Sequence, residues 1–310
     1  MLLPSTFLRK IPRKECPHLN PKDKLIHLHH CRGAGWKTIQ AIVQVDPLLS
    51  SLFTKSYAEW KDIVPLPSSR LQLFFRDLHS LSIMEKLRKY EECHIQCLTM
   101  FDEEYPYLLQ QIFDPPWVLY MKGRKELLKE QNTLAIVGTR TPTTYGLGAL
   151  KTILPKLVEK NFTIISGVAA GIDAAAHMVT LNEGGKTIGV LGGGLLHIYP
   201  KRNVKLAETM MKQGLLLSEI PPMRRAEPWM FPVRNRIISG LSRGVLVIEA
   251  RKRSGTLITA QAALEQGRDV YALPGNILSP QSMGTNQLIQ DGAKLVLAAS
   301  DIEEEYANLF

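Results

Sequence analysis

The stretch from Thr133 to His177, TLAIVGTRTPTTYGLGALKTILPKLVEKNFTIISGVAAGIDAAAH, limits the fold more than any other part of the chain. An apolar run, Leu134–Val137, stops at Gly138. Leu147, Leu150, Leu154, Leu157 and Val158 then recur at helical spacing, and a second apolar run, Phe162–Ile165, ends at Ser166-Gly167. Short apolar runs bounded by turn residues read as buried strands, and the period between them reads as an amphipathic helix. Strand, helix and strand within about 30 residues form a βαβ unit, whose right-handed crossover forces a parallel sheet.

The alternation continues to the end of the chain. Further strands are expected at Thr187–Leu191, Leu215–Ser218, Val245–Ile248, Val270–Leu273 and Lys294–Leu297, with a short one at Trp117–Met121. Helices between them predict a doubly wound, mostly parallel sheet covered on both faces. In such a sheet ligands bind at the carboxyl edge, where helix N-termini suit phosphate. That edge is rich in Gly, Ser, Thr and Arg: Gly138-Thr139-Arg140, Ser166-Gly167, GGGLLHIYPKRN with Lys201, FPVRNR with Arg234, Asn235 and Arg236, and Ser254-Gly255-Thr256. These residues are the candidates for holding a phosphate-bearing partner, Arg140 as a fork-shaped cation. No nucleophile has a base beside it, so neither catalysis nor a cofactor is expected.

Before the sheet the composition changes. Residues 1–22 are basic and Pro-punctuated and read as a tail; 23–97 read as a small helical domain; 98–310 as the α/β domain. In the helical domain LIHLHHCRGAGWKTIQAIVQVDP has the form of a helix–hairpin–helix around Gly33-Ala34-Gly35, though an ordinary αα-hairpin has the same form. Residues 70–97 are expected to be helical, from Leu71, Phe74, Phe75, Leu78, Leu81, Met84 and Leu87, and to close this domain.

The 310 residues carry a formal charge of +9, which favours an anionic partner or a merely basic surface. Cys16, Cys31, Cys93 and Cys97 are too few for a disulfide scaffold, no apolar run approaches membrane-spanning length, and the N-terminus lacks the apolar core of a signal peptide. A cytoplasmic protein with no membrane partner is expected.

Several sharper readings fail. A dinucleotide site needs G-x-G-x-x-G at the first turn and an acidic residue after the second strand; Gly138-Thr139-Arg140 and Ser166-Gly167 supply neither, and there is no Walker loop. Asp173 and His177 share a helix face, but without a third metal ligand they read as structural. Cys16, His18, His27, His29, His30 and Cys31 match no closed zinc spacing, so no metal is expected.

Together the edge motifs resemble the DNA-processing protein A (DprA, also called Smf) family. The strings DPPWVLYMKG, AIVGTR, ISGVAAGIDAAAH, YPKRN, FPVRNRIISGLSRGVLVIEA, SGTLITAQAALEQGRDVYALPG and GTNQLIQDGAKLV carry the resemblance, from Asp114 to about Val296. It implies an extended Rossmann domain, used as a homodimer, that binds and protects single-stranded DNA. It also implies loading of the RecA recombinase on that DNA during natural transformation, without catalysis. The implied DNA pocket is Arg140, Ser166, Gly167, Lys201 and Arg234 to Arg236, and the implied dimer contact includes Ile289 and Leu295. The helical block fits the family's sterile-alpha-motif-like domain. Leu196 stands where the family usually has aspartate, and Ala170 where it often has Gly or Arg. The C-terminal winged helix of many members is expected to be missing, with its share of duplex binding. The alternative is a nucleotide phosphoribohydrolase resembling the lysine-decarboxylase-like (LOG) family, but Thr259 stands where that family's catalytic glutamate would be.

Overall fold

The computed structural model describes residues 19–307. Most of the stretch read as a basic tail, with Cys16 and His18 of the zinc reading, lies outside the described residues. The chain divides into two compact units: the first runs to Glu103 and includes Pro116–Val118, and the second comprises Glu104–Pro115 and the chain from Leu119 onward.

The first unit is helical. Helix α1, Pro21–His30, starts inside the stretch read as tail because Pro21 suits a first turn and the Asn20 side chain accepts from Asp23 N at 2.8 Å. Gly33, at φ +88°, takes the left-handed turn into α2, Trp36–Val45. Helix α3, Tyr57–Ile63, opens on a capping box between Ser56 and Glu59. The stretch expected to be helical over 70–97 holds two helices, α4 at Ser68–Ser80 and α5 at Ile83–Glu92, and its end enters a strand, β1, at Gln96–Thr99. The break at Leu81 shifts the apolar stripe by one residue: Ile83 is buried, whereas Met84, which continues the α4 period, is exposed. Trp60 and Phe74 meet edge to face, 5.7 Å apart, inside a core that also includes Leu25, Ile39, Ile42 and Leu71.

In the second unit the strands are β2 (Val118–Gly123), β3 (Thr133–Val137), β4 (Thr163–Gly167), β5 (Lys186–Val190), β6 (Leu215–Ser218), β7 (Gly244–Val247), β8 (Asp269–Ala272) and β9 (Lys294–Leu295). A short helix α6 (Tyr107–Gln110) precedes them; the helices among and after them are α7 (Thr144–Glu159), α8 (Ile172–Asn182), α9 (Val204–Gln213), α10 (Met230–Gly240), α11 (Gly255–Glu265), α12 (Met283–Gln290) and α13 (Ser300–Ala307). The strand order is β2-β6-β5-β4-β3-β7-β8-β9. All pairings in that series are parallel except β2 with β6, so the sheet is doubly wound as expected. Strands β3, β4, β6 and β7 are buried at every residue, as strands covered on both faces must be. One core packs Leu150, Leu154 and Leu157 of α7 and Ile172 of α8 on Leu134, Ile136 and Ile164. No helix among the described residues is long and apolar enough to cross a membrane.

Candidate nucleic-acid interface

The strand order reverses between β3 and β7, where an open α/β sheet usually binds its ligand. Here that crevice is closed from within. Glu249, just after β7 and 1% exposed, accepts from Thr143 N at 2.9 Å and Thr143 Oγ1 at 2.5 Å at the N-terminus of α7. A Cβ at Gly146 would come within 2.5 Å of the same carboxylate, so Glu249 occupies the place of a phosphate. By sequence alone that helix N-terminus suits an external phosphate; the protein fills it with its own anion.

The open cleft, of about 220 Å³, lies one strand over, above β4 and β5. Its lining includes Arg140, the segments 168–170 and 190–192, Tyr199, Pro200, Arg202, Phe231 and Arg234. Among the described residues no carboxylate lies within ion-pair distance of Arg140 or Arg202, and both are exposed. The Arg140 guanidinium lies over Phe231, 6.0 Å from the ring centroid, and Phe231 lies 5.7 Å from the Tyr199 ring. The Asn203 amide fixes the turn after β4, donating to Val168 O at 2.9 Å and Ala169 O at 3.1 Å.

Arg234 is the charged floor. It is 7% exposed, donates to Val190 O, and lies against Gly167, where a Cβ would come within 2.3 Å of its Nη1 and 2.5 Å of Asp173 Oδ2. Only glycine fits there. Burial lowers the Arg234 pKa, Asp173 counters, and Arg140 adds to the lowering. Burial pushes the Asp173 carboxyl up to about 6, with Arg234 opposing. His177 is locked, one ring nitrogen 2.6 Å from Thr187 Oγ1 and the other 2.8 Å from Gly167 O, and burial pushes it down to about 4. Asp173 and His177 thus each have partners other than the other, and neither is presented as a metal ligand. Among the described residues no three His, Cys, Asp or Glu side chains converge as for a metal.

The other candidates divide. Gly138 packs on Ile172, Thr139 is buried, and Ser166 donates to Ile136 O at 2.6 Å, so all three shape the turns beneath the cleft. Arg236 is bound to Asp114 at 2.9 Å and Glu219 at 2.8 Å, which leaves it little to offer a phosphate. Asn235 reaches Gly255 O at 3.4 Å; Ser254, Gly255 and Thr256 open α11 outside the cleft lining. Lys201 is exposed and also outside the lining, whereas its neighbour Arg202 is within it. Arg202, Tyr199 and Phe231 were missed as site residues; their signal was adjacency to Lys201 and Arg234 within YPKRN and FPVRNR. Thr259 is buried in α11, with no carboxylate in its place. Near the last strand, Ile289 is half-buried and Leu295 is 40% exposed.

An α/β fold with its switch-point crevice filled by Glu249, and with arginines lining an open cleft one strand away, belongs to the Rossmann-like class. The chain belongs to the DNA recombination-mediator protein A family, which it matches over residues 96–307. It is 46% identical to DNA processing protein DprA of Bacillus subtilis over 219 residues, 71% of this chain and 74% of that one. The X-ray structure of DNA processing protein A from Streptococcus pneumoniae superposes with a TM-score of 0.81 at 35% identity, covering 91% of this chain and 97% of the other. A structure of DNA processing protein A from Helicobacter pylori, describing its single-stranded DNA binding mode, matches with a TM-score of 0.63 at 29% identity over 70% of this chain and 98% of that one.

Proposed function

We propose that this protein binds single-stranded DNA in the cytoplasm through the Arg140–Arg202–Arg234 cleft and, as a non-catalytic homodimer, loads a RecA-class recombinase on it. The observation that carries the reading is a cleft in which Arg140 and Arg202 lack a carboxylate partner among the described residues while aromatic rings stand beside them. Phosphate takes the guanidinium forks and an unpaired base takes the ring faces, a combination suited to a single strand. A stacked duplex hides its base faces and offers only half of that.

The test is anisotropy of a labelled thymidine oligomer against a duplex of equal length across a salt series. Single-strand affinity is expected to exceed duplex affinity, and log affinity to fall with log salt by about 0.7 per phosphate contacted. A flat salt response or a duplex preference refutes the reading. RecA loading reads as faster RecA nucleation on the bound strand than on the bare one. For the dimer, Leu295→Asp is expected to give a folded monomer by light scattering; an unchanged mass rules that surface out.

A further inference from the structure

The segment from Ile220 to Trp229 carries an aromatic group that the arginine cleft does not use. It is fastened to the glycine turn at the cleft: Gly194 N donates to Arg224 O at 2.8 Å and Leu196 N to Pro222 O at 3.1 Å, and Gly192 of that turn lines the cleft. At the segment's end Trp229 is 51% exposed, a costly state for an indole. Yet its ring is held. Trp229 Nε1 donates to Glu227 Oε2 at 2.9 Å, while Glu227 Oε1 accepts from Arg224 Nη2 at 2.7 Å and Nε at 3.2 Å. The Arg224 guanidinium lies over the indole, 5.5 Å from its centroid. One carboxylate therefore ties down both the ring and the cation stacked on it, and the cation cancels the charge that would repel a phosphate chain.

We propose that Trp229 is a stacking site for an unpaired nucleobase next to the nucleotide held in the cleft. The inference rests on the single-strand reading above and adds a subsite to it. A rigid indole costs little entropy to order, offers nothing to a phosphate, and accepts any base by its flat face. Trp229 stands two residues before Phe231, which lines the cleft, so a strand leaving the cleft on that side meets the ring within a short span of backbone. The site extends grip without sequence preference and without a further phosphate contact.

The experiment compares two probes on the full chain: a thymidine oligomer of about ten nucleotides, within the usual site sizes for such strands, and an abasic oligomer of the same length. Trp229→Ala is expected to weaken the thymidine oligomer between about fivefold and 150-fold. It should leave the abasic oligomer and the salt slope unchanged, and Trp229→Phe should restore most of the loss. Equal weakening of both probes overturns the proposal and makes the Arg224–Glu227–Trp229 cluster a structural clamp. Unchanged thymidine binding overturns it as well. Failure of the wild-type protein to bind either probe at low salt instead removes the single-strand reading on which the proposal stands.

Discussion

The glycine turn of the helical unit and the glycine turns at the sheet's carboxyl edge use the same residue types, but their cations have opposite fates. Arg32, beside Gly33, gives its Nε and Nη2 to Asp77 at 2.7 and 2.6 Å, and its backbone N–H reaches the same carboxylate at 3.0 Å. At the sheet edge Arg140 and Arg202 line a cleft and have no such partner among the described residues. Glycine with arginine therefore specifies a tight turn in both places, and the position of the nearest carboxylate decides which turn can take an external anion. The titratable groups differ too: the helical unit sets a buried His27 near half-buried His29 and His30, whereas the sheet sets a buried histidine and a buried carboxyl near one another.

The largest expected effect separates structural from binding arginines within the cleft itself. Arg234→Ala removes the countercharge of the buried Asp173 and opens space against Gly167, so it is expected to cost about 3–5 kcal/mol of stability as well as binding. Arg140→Ala, at an exposed position, is expected to stay within about 0.5 kcal/mol of wild type in stability while losing binding. Denaturant unfolding of the two variants checks this. Equal stability would mean that Arg234 is not the floor that holds the cleft.

The second effect is acid sensitivity, expected to differ between the units. Burial pushes His29 down to about 3, with His30 adding to it. Burial pushes His30 down to about 4 against the Ile26 carbonyl, and lowers His27 against the Leu78 carbonyl. These imidazoles stay neutral in the fold, while the unfolded chain takes up protons below about pH 6.5. Their contribution is thus complete above that pH and is lost as the pH falls towards 4, on the order of 2 kcal/mol by pH 5 for each of His29 and His30. In the sheet, His177 acts in the same direction, but Asp173 opposes it. Its folded pKa near 6 lies above the ordinary carboxyl value, so the fold takes up its proton first and gains stability as the pH falls from 6 to about 4. Trp36, Trp60 and Trp117 belong to the first unit and Trp229 to the second. Tryptophan emission is therefore expected to change at a higher pH than far-ultraviolet ellipticity. Coincident transitions would remove the contrast.

Much of this was legible in sequence, for definable reasons. The apolar runs at β3, β4, β5 and β6 are buried on both faces, so composition alone marks them. Their glycine-rich ends follow from the turns that parallel connections need. The helix break at Leu81 was not legible, because Met84 continues the period of Leu71, Phe74 and Leu78; only packing shows that Ile83 is buried in its place. Nor could a pattern show which edge residues are already engaged. Arg234 and Arg236 belong to the same string, but one lines the cleft and the other is held by Asp114, 122 positions away in the chain, and by Glu219. The closure of the switch-point crevice depends on Glu249 meeting Thr143 across 106 positions, a pairing that no local motif encodes.

The smallest effect concerns the adjacent cations Lys201 and Arg202, and it tests whether the edge acts as a pocket or as a diffuse field. Both are exposed, and either reversed to glutamate changes the charge of the edge by the same amount. Only Arg202 lines the cleft, so only Arg202→Glu places a carboxylate against a phosphate at contact distance. At low salt both reversals are expected to weaken single-strand binding, Arg202→Glu about tenfold and Lys201→Glu about threefold. At about 0.3 M salt, screening shortens the range of unpaired charges to well under 10 Å. The Lys201→Glu deficit should then largely disappear while the Arg202→Glu deficit persists, because a contact within the cleft is screened far less than one across open water. Deficits of equal size that fade together would mean that the edge attracts DNA as a field and that the cleft holds no particular phosphate. A Lys201 deficit that outlasts the Arg202 deficit would instead place the strand on the outer side of the turn at Lys201–Asn203.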